Sequence, residues 1–116
     1  EEEKAQPIPM SYKKKYLLRS KDAARALVRV KPELRAKVSF ARINFMDERY
    51  PVEGLFDVVF CRNVIIYFER KVQEAILGKL CGHIRQGGWL ILGHSETLTG
   101  MDMPLRSIAP TVYSRL

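Results

Sequence analysis

The chain has 116 residues, a length that fits one domain with a modest hydrophobic core. Its hydrophobic content of 47% is typical of globular proteins, and no apolar run approaches the ~20 residues that a membrane-spanning helix needs. The net charge of +7 is compatible with binding to nucleic acid, to an anionic membrane surface or to an acidic protein, and does not distinguish them.

The N-terminus and the two cysteines indicate the cellular compartment of the protein. The acidic start, Glu1 to Lys4, does not fit a secretory signal peptide. Cys61 and Cys81 lie in apolar surroundings without metal-ligand spacing, so we expect two ordinary buried thiols and no metal site. Together these observations predict a cytoplasmic protein.

The first third of the chain predicts short elements. Residues 1–11 are expected to be extended or a linker, and a short helix follows from Ser11 to about Leu18. The β-branched residues at 26–30 predict a half-exposed strand. Residues 37–43 largely alternate polar and apolar side chains, which predicts another strand. A loop over 50–55 separates it from the most informative segment.

The segment from Phe56 to Phe68 (FDVVFCRNVIIYF) predicts a strand that ends in polar residues. Residues 56–61 are almost all apolar, which indicates a strand buried on both faces, as in a parallel sheet flanked by helices. Arg62 and Asn63 follow at the carboxyl end of this strand. In open α/β sheets, ligands bind just outside those ends, so this edge is the candidate site.

The second half of the chain predicts a helix, a strand and a hairpin. Apolar residues recur at helical spacing from Glu69 to Ile84, with His83 on the apolar side in a structural role. Gly87 and Gly88 permit a turn. An apolar strand follows from Trp89, expected in the core, to Gly93. The final segment, 105–116, predicts a hairpin that turns at residues 109–110.

The residues now show a resemblance. The segments FDVVFCRNVIIYF, IRQGGWLILGHSE and TVYSR resemble the C-terminal half of the CheR-type chemotaxis receptor glutamate methyltransferases, which use S-adenosylmethionine. The CRNVxIYF segment and the GHSE tetrapeptide are the specific signals, whereas the GGWLIL pattern is common among class I methyltransferases. The resemblance covers nearly the whole chain from about Tyr12 onward.

The resemblance implies a fold, a cofactor and a partner. The fold would be α/β: the C-terminal half of a class I S-adenosylmethionine-dependent methyltransferase sheet, with part of a small antiparallel β-subdomain. Residues 1–37 would form the linker and the β-subdomain portion, and residues 38–116 the C-terminal half of the methyltransferase domain. The implied reaction is methyl transfer to glutamate side chains in the cytoplasmic region of a chemoreceptor. A receptor tail could also add a strand at the edge of residues 26–30.

The resemblance also assigns site residues. Two would lie near the methyl-transfer centre as catalytic residues, namely Arg62 and Tyr67. Four would contact the cofactor, namely Asn44, Phe45, Asn63 and Val64. The loop of His94, Ser95 and Glu96 would lie beside the site without an assigned role.

Structural alternatives stay open for several of these residues. Asn44 could instead cap the turn after its strand. Arg62 could pair with Asp57 or Glu96. The ring of Tyr67 could be core, with its hydroxyl satisfied nearby, and His94 could hydrogen-bond within its own loop.

One expected part of a class I methyltransferase is missing from this sequence. No glycine-rich turn follows a predicted strand, and no acidic residue follows a second strand to bind the ribose. The strands at 37–43 and 56–61 would then lack the two strands that normally lie between them, leaving open edges. We therefore expect a fragment of a longer protein that is inactive alone and forms a strand-swapped oligomer or aggregates.

Two rival functions follow from the charge and from the missing turn. A non-catalytic module that binds receptor tails or an acidic partner through residues 12–37 would explain the missing turn. Nucleic-acid binding is disfavoured because the basic segment has few interleaved aromatic residues, and we expect no nucleic-acid partner and no membrane insertion.

Overall fold

A four-stranded mixed sheet dominates the computed structural model, which describes residues 1–116. Its strands are β3 (Phe56–Cys61), β4 (Ile84–Leu92), β5 (Leu105–Ala109) and β6 (Val112–Arg115), in the spatial order β3-β4-β6-β5. β3 and β4 are parallel, whereas β4–β6 and β6–β5 are antiparallel. The sheet lies in one of two compact units, residues 41–116; the other comprises residues 1–40. The fold is therefore mixed α/β.

The helix α3 (Arg70–Gly82) connects the two parallel strands and covers one face of the sheet. Parallel neighbours need such a crossover, because a tight turn can join only antiparallel strands. Ile76 and Leu77 of this helix are fully buried, as are Leu90 and Leu92 of β4. Fully burying one such side chain contributes roughly 1.5–3 kcal/mol, so this α3–β4 contact is the main stabilising core of the unit.

The opposite face of the sheet is uncovered, which corrects the expectation that β3 is buried on both faces. Phe56, Val58 and Phe60 alternate onto that face, and Phe60 is 69% exposed. Trp89, expected in the core, is paired with Val58 and is 44% exposed. The strand is as apolar as a central strand, but burial depends on a second covering layer, and this unit has only one.

The helix and hairpin expectations for the second half of the chain are confirmed. The helix was expected over 69–84; it ends at Gly82, and Ile84 already belongs to β4. The turn expected at Gly87 and Gly88 is wrong, and so is the strand start at Trp89, because β4 already begins at Ile84 and contains both glycines. Gly87 has a positive φ of 71°, and the register between β3 and β4 shifts between Phe56 and Val58, so the glycines make this strand irregular without ending it. β5 and β6 form the expected terminal hairpin.

Residues 1–40 form the smaller unit. Its helices are α1 (Met10–Tyr16) and the single turn α2 (Pro32–Arg35). Its strands, β1 (Leu17–Arg19) and β2 (Val28–Val30), pair antiparallel in a two-stranded sheet. The expected strand at 26–30 is therefore shorter, and the residues predicted to end the first helix begin β1.

The strand expected at 37–43 is wrong. These residues form no helix or strand, and Phe40 is 96% exposed. A strand is stabilised by hydrogen bonds to a neighbouring strand, and none lies beside this segment. Alternation of polar and apolar side chains favours a strand only where such a partner exists.

No helix in this structure has both the length and the apolar character that a membrane crossing requires.

Candidate functional site

The carboxylate of Glu96 lies where the parallel strands β3 and β4 end. One of its oxygens accepts hydrogen bonds from the backbone N–H groups of Asn63 (3.0 Å) and Gly93 (2.6 Å). The other accepts from the N–H groups of Val64 and Ile65, both at 3.0 Å. Glu96 is only 4% exposed. One buried side chain thus ties together the loops that follow two neighbouring strands.

Hydrogen bonds from the four N–H groups favour the ionised form of Glu96. Burial raises the pKa of this carboxyl, but the hydrogen bonds from Gly93, Asn63, Val64 and Ile65 lower it by more, so the pKa lies below its usual value. The side chain is therefore ionised at neutral pH and is not a proton donor. It acts instead as a fixed acceptor for donors that would otherwise be unsatisfied.

The backbone at Asn63 and Gly93 is shaped for this contact. Asn63 has a left-handed φ of 59°, a conformation that asparagine tolerates better than most residues. A Cβ at Gly93 would lie 2.7 Å from the Glu96 carboxylate oxygen and would collide with the side-chain oxygen of Asn63. Glycine at this position allows the two loops to approach each other.

Arg62 and Tyr67, the expected catalytic residues, lie on either side of this anchored turn. Both side chains are exposed, and Tyr67, which ends the 3-10 helix Ile65–Tyr67, is 82% exposed. The structural pairings considered for Arg62 do not form. Asp57 pairs instead with Arg85 at 2.5 Å, and Glu96 accepts the backbone N–H groups. The Arg62 guanidinium and the Tyr67 hydroxyl are free to meet a ligand.

A second loop, residues 44–50, holds the other pair of expected cofactor residues, Asn44 and Phe45. The side-chain oxygen of Asn44 accepts a hydrogen bond from the backbone N–H of Met46 at 3.0 Å, so the turn-capping alternative is present. The ring of Phe45 meets the rings of Tyr50 and Phe68 edge to face, with centroids 6.0 and 6.5 Å apart. The amide nitrogen of Asn44 remains available to a ligand.

Lys79 of α3 fixes this second loop. Its ammonium group donates to the backbone carbonyls of Phe45 (2.6 Å) and Asp47 (2.7 Å) and lies 5.0 Å from the centre of the Tyr50 ring. The Tyr50 hydroxyl donates to the Phe45 carbonyl at 3.1 Å, and its ring stacks on His83. Burial raises the pKa of Tyr50, with smaller contributions from Cys61 and Asp47, so the phenol stays neutral.

A groove of about 560 Å³ follows the open edge of β3 and brings some of the expected site residues together. Three of them line it: Phe45, Val64 and Arg62. The other three, Asn44, Asn63 and Tyr67, are not among its lining residues. The rest of the lining is mainly aliphatic and aromatic, from Ile43, Val52, Val58 and Leu80 among others. Such a lining suits a flat apolar ring.

The groove fits only part of S-adenosylmethionine. The aromatic and aliphatic lining suits the adenine ring, and Arg62 supplies one positive charge beside it. No carboxylate lines the groove to accept hydrogen bonds from ribose hydroxyls, and no glycine lines it to allow close backbone approach. The residues present therefore match the adenine side of the cofactor and lack partners for the ribose.

Sequence reasoning left Glu96 without a role and missed Lys79 and Tyr50. Glu96 follows the end of an apolar strand within GHSE, and an acidic residue three positions after a buried glycine is a weak local signal. For Lys79 no signal existed, because its partner lies far away in the sequence: the Lys79–Phe45 contact spans 34 residues. Tyr50 bonds to Phe45 only five residues away, but its stacking partner His83 is distant in the sequence.

Comparison with known proteins assigns the chain to a family. Residues 1–114 match the model of the CheR methyltransferase SAM-binding domain. The chain is 35% identical over 112 residues to chemotaxis protein methyltransferase 2 of Pseudomonas aeruginosa, covering 97% of this chain and 40% of the relative. It is 36% identical over 108 residues to the chemotaxis protein methyltransferase of Borreliella burgdorferi, covering 93% of this chain and 37% of the relative.

A third relative, the chemotaxis protein methyltransferase of Klebsiella aerogenes, is 38% identical over 107 residues, which cover 92% of this chain and 36% of the relative. The chain thus spans about two fifths of the length of the curated relatives that it matches. The resemblance seen in the sequence is confirmed, and S-adenosylmethionine is the cofactor of the matched family.

Proposed function

Because this chain belongs to the family of CheR methyltransferase SAM-binding domains, we propose that it is the C-terminal half of an enzyme that methylates glutamate side chains of chemoreceptors. The boundary between its β-subdomain portion and its methyltransferase portion lies near residue 37. The observation that supports the proposal is the loop of Arg62 and Asn63, which is fixed by Glu96 at the carboxyl ends of two parallel strands. That edge is where open α/β sheets bind ligands.

The chemistry of the proposed reaction needs no general base. When bound, S-adenosylmethionine supplies a methyl group to a carboxylate oxygen, giving a methyl ester and S-adenosylhomocysteine. A glutamate with its reference pKa of about 4.3 is already ionised near neutral pH. Positioning of the carboxylate and exclusion of water must therefore supply most of the rate.

Arg62 and Tyr67 would position the substrate. The Arg62 guanidinium attracts the carboxylate, and the Tyr67 hydroxyl can donate one hydrogen bond to it. A tight bidentate pair with Arg62 would stabilise the carboxylate and weaken it as a nucleophile, so we propose a single orienting contact. Asn44, Phe45, Asn63 and Val64 would contact the cofactor.

Titration of S-adenosylhomocysteine into the chain, followed by calorimetry, tests the cofactor assignment. We expect weak binding that is lost in the Asn63→Ala variant and retained in a matched surface variant. The control is Gln86→Ala, since Gln86 is exposed on the far part of β4. A chain that shows no binding at millimolar concentration, or an Asn63→Ala variant that binds equally well, would contradict the assignment.

The open edge and bare face of β3 support the proposal that the chain is incomplete alone and pairs with another chain. β3 has a hydrogen-bonded neighbour only on its β4 side, and its apolar side chains are exposed. Apolar edges recruit a partner strand. We expect a strand-swapped dimer or larger oligomer in multi-angle light scattering; a stable monomer at high concentration would argue against it. The proposed compartment is the cytoplasm, where the receptor region lies.

The charge of residues 1–40 favours a second candidate, a module that binds an acidic receptor tail without catalysis. This unit holds eleven of the 20 Lys and Arg residues and five of the 13 Asp and Glu residues. A groove of about 940 Å³ in it is lined by Arg29 and Arg35 among apolar side chains. Binding of an acidic receptor-tail peptide by a chain that does not bind S-adenosylhomocysteine would favour this candidate.

A further inference from the structure

Three consecutive backbone N–H groups after β3 point at one carboxylate. The N–H groups of Asn63, Val64 and Ile65 all lie 3.0 Å from oxygens of Glu96. Successive N–H groups can converge in this way where the chain passes through a left-handed residue, here Asn63 with φ 59°. The loop conformation and the carboxylate therefore depend on each other.

The fourth donor extends this dependence to the next strand. Gly93, the residue after β4, gives its N–H to the same oxygen that accepts from Asn63. Glu96 thus fixes the spacing between the ends of β3 and β4 at the candidate site. A hydrophobic side chain could fill the same space but would leave four N–H groups without their acceptor, two of them buried and two partly buried.

The side chains that this loop presents are those proposed to meet the ligand. Arg62 precedes the left-handed residue, and its side chain is exposed. Val64 follows it and lines the groove along β3. A change of backbone conformation at Asn63 would redirect both side chains, because the two residues flank the turn.

We infer that Glu96 is a positioning residue for the cofactor-facing loop, whose carboxylate holds Asn63 in its left-handed conformation and so sets the directions of Arg62 and Val64. The inference rests on the proposed function, in which that loop contacts S-adenosylmethionine. Glu96 does not touch the ligand itself, because its two oxygens are occupied by backbone donors.

The negative charge of Glu96 is needed for this role. Each carboxylate oxygen accepts two N–H bonds. A glutamine offers one oxygen and one NH₂ group, so Glu96→Gln would set an amide donor against two backbone donors. No neighbouring titratable or charged side chain could take over the role of Glu96 as acceptor for these N–H groups. The Cys61 thiol has its pKa raised to about 11, first by burial and then by Glu96. The Arg70 guanidinium donates to the Thr97 carbonyl, and His94 is exposed.

Nuclear magnetic resonance of the unliganded chain tests the anchor directly. Amide protons bonded to a carboxylate shift when that carboxylate is protonated. We expect the amides of Asn63, Val64, Ile65 and Gly93 to titrate together, with a common midpoint below the ordinary glutamate range. The sign follows from the lowered pKa of Glu96: the anchor is complete above the ordinary value and is lost as the pH falls through the folded-state value. Four amides that shift at unrelated pH values would overturn the inference.

Binding of S-adenosylhomocysteine tests the consequence for the loop. We expect Glu96→Gln to weaken the affinity at least about tenfold, which corresponds to about 1.4 kcal/mol. The control variant Glu53→Gln removes the same charge from an exposed loop and should change the affinity less than twofold. A folded Glu96→Gln chain with wild-type affinity would overturn the inference.

The two measurements separate this inference from the proposed function. If Glu96→Gln does not fold, the amide titration of the wild-type chain still decides whether Glu96 holds the loop. If the wild-type chain binds no S-adenosylhomocysteine, the cofactor contacts proposed for this half fail, and the same titration decides the role of Glu96 alone.

Discussion

The two loops of the candidate site are held by side chains of opposite charge. Glu96 accepts hydrogen bonds from four backbone N–H groups, whereas Lys79 donates to two backbone carbonyls. Glu96 is buried and joins the ends of two strands, while Lys79 is half-buried and its carbonyl partners lie within residues 45–47. A buried charge depends more on its partners than a half-exposed one does, because water cannot replace them. We therefore expect the carboxylate anchor to contribute more to stability than the lysine anchor.

Substitution of Gly93 would disturb the carboxylate anchor most strongly. In Gly93→Ala the new methyl group would collide with the Asn63 side chain and displace the Glu96 carboxylate. We expect a loss of about 2–3 kcal/mol in the free energy of unfolding, as for other overpacked sites, measured by urea denaturation. The matched control is Gly78→Ala, at an exposed position of α3 with open space around it. It should gain up to about 1 kcal/mol of helix propensity. Equal effects of the two variants would contradict the anchor.

Removal of the lysine anchor should cost less. Lys79→Met keeps the aliphatic stem but removes two charged hydrogen bonds and the contact with the Tyr50 ring. The half-exposed carbonyls can then turn to water, so we expect a loss of about 1–2 kcal/mol. Lys71→Met, on an exposed position of the same helix, is the control and should change stability by less than about 0.5 kcal/mol. High salt should reduce the difference in unfolding free energy between the wild type and the Lys79→Met variant.

The hydroxyl of Tyr50 contributes a single neutral hydrogen bond to the same loop. Tyr50→Phe removes only the bond to the Phe45 carbonyl and leaves the aromatic stacking in place. We expect a loss of about 1 kcal/mol in thermal or urea unfolding. Tyr67→Phe removes a hydroxyl from an exposed ring and should leave stability unchanged. A Tyr50→Phe loss larger than that of Lys79→Met would reverse the proposed ranking within this loop.

Whether a contact is local or distant in the sequence explains what could be predicted from the sequence alone. β3, α3 and the terminal hairpin follow from hydrophobic periodicity and turn residues, which act between near neighbours along the chain. The turn cap at Asn44 is also local, because its acceptor and the Met46 donor are two residues apart. Three of the four Glu96 contacts span 31 to 33 residues and have no spacing that could be recognised in advance, whereas the contact with Gly93 spans three.

Burial was the property that sequence patterns predicted least well. The apolar composition of β3 indicated a strand with both faces covered, and Trp89 was expected in the core. Hydrophobicity states what a face prefers, whereas burial depends on whether another element lies against it. In residues 41–116 only α3 covers the sheet, so Trp89 and the side chains of β3 that face away from the helix are exposed.

The reactivity of the two cysteines can report how often helix α3 separates from the sheet. Cys61, at the end of β3, and Cys81, in α3, are both buried, and burial raises the pKa of each thiol to about 11. Alkylating reagents attack the thiolate, so neither residue should react in the folded chain near neutral pH. Modification must then wait until α3 separates from the sheet, and its rate would measure how often that separation occurs. Mass spectrometry of the alkylated chain could thus follow the opening of the core at these two native sulfurs, without an engineered label.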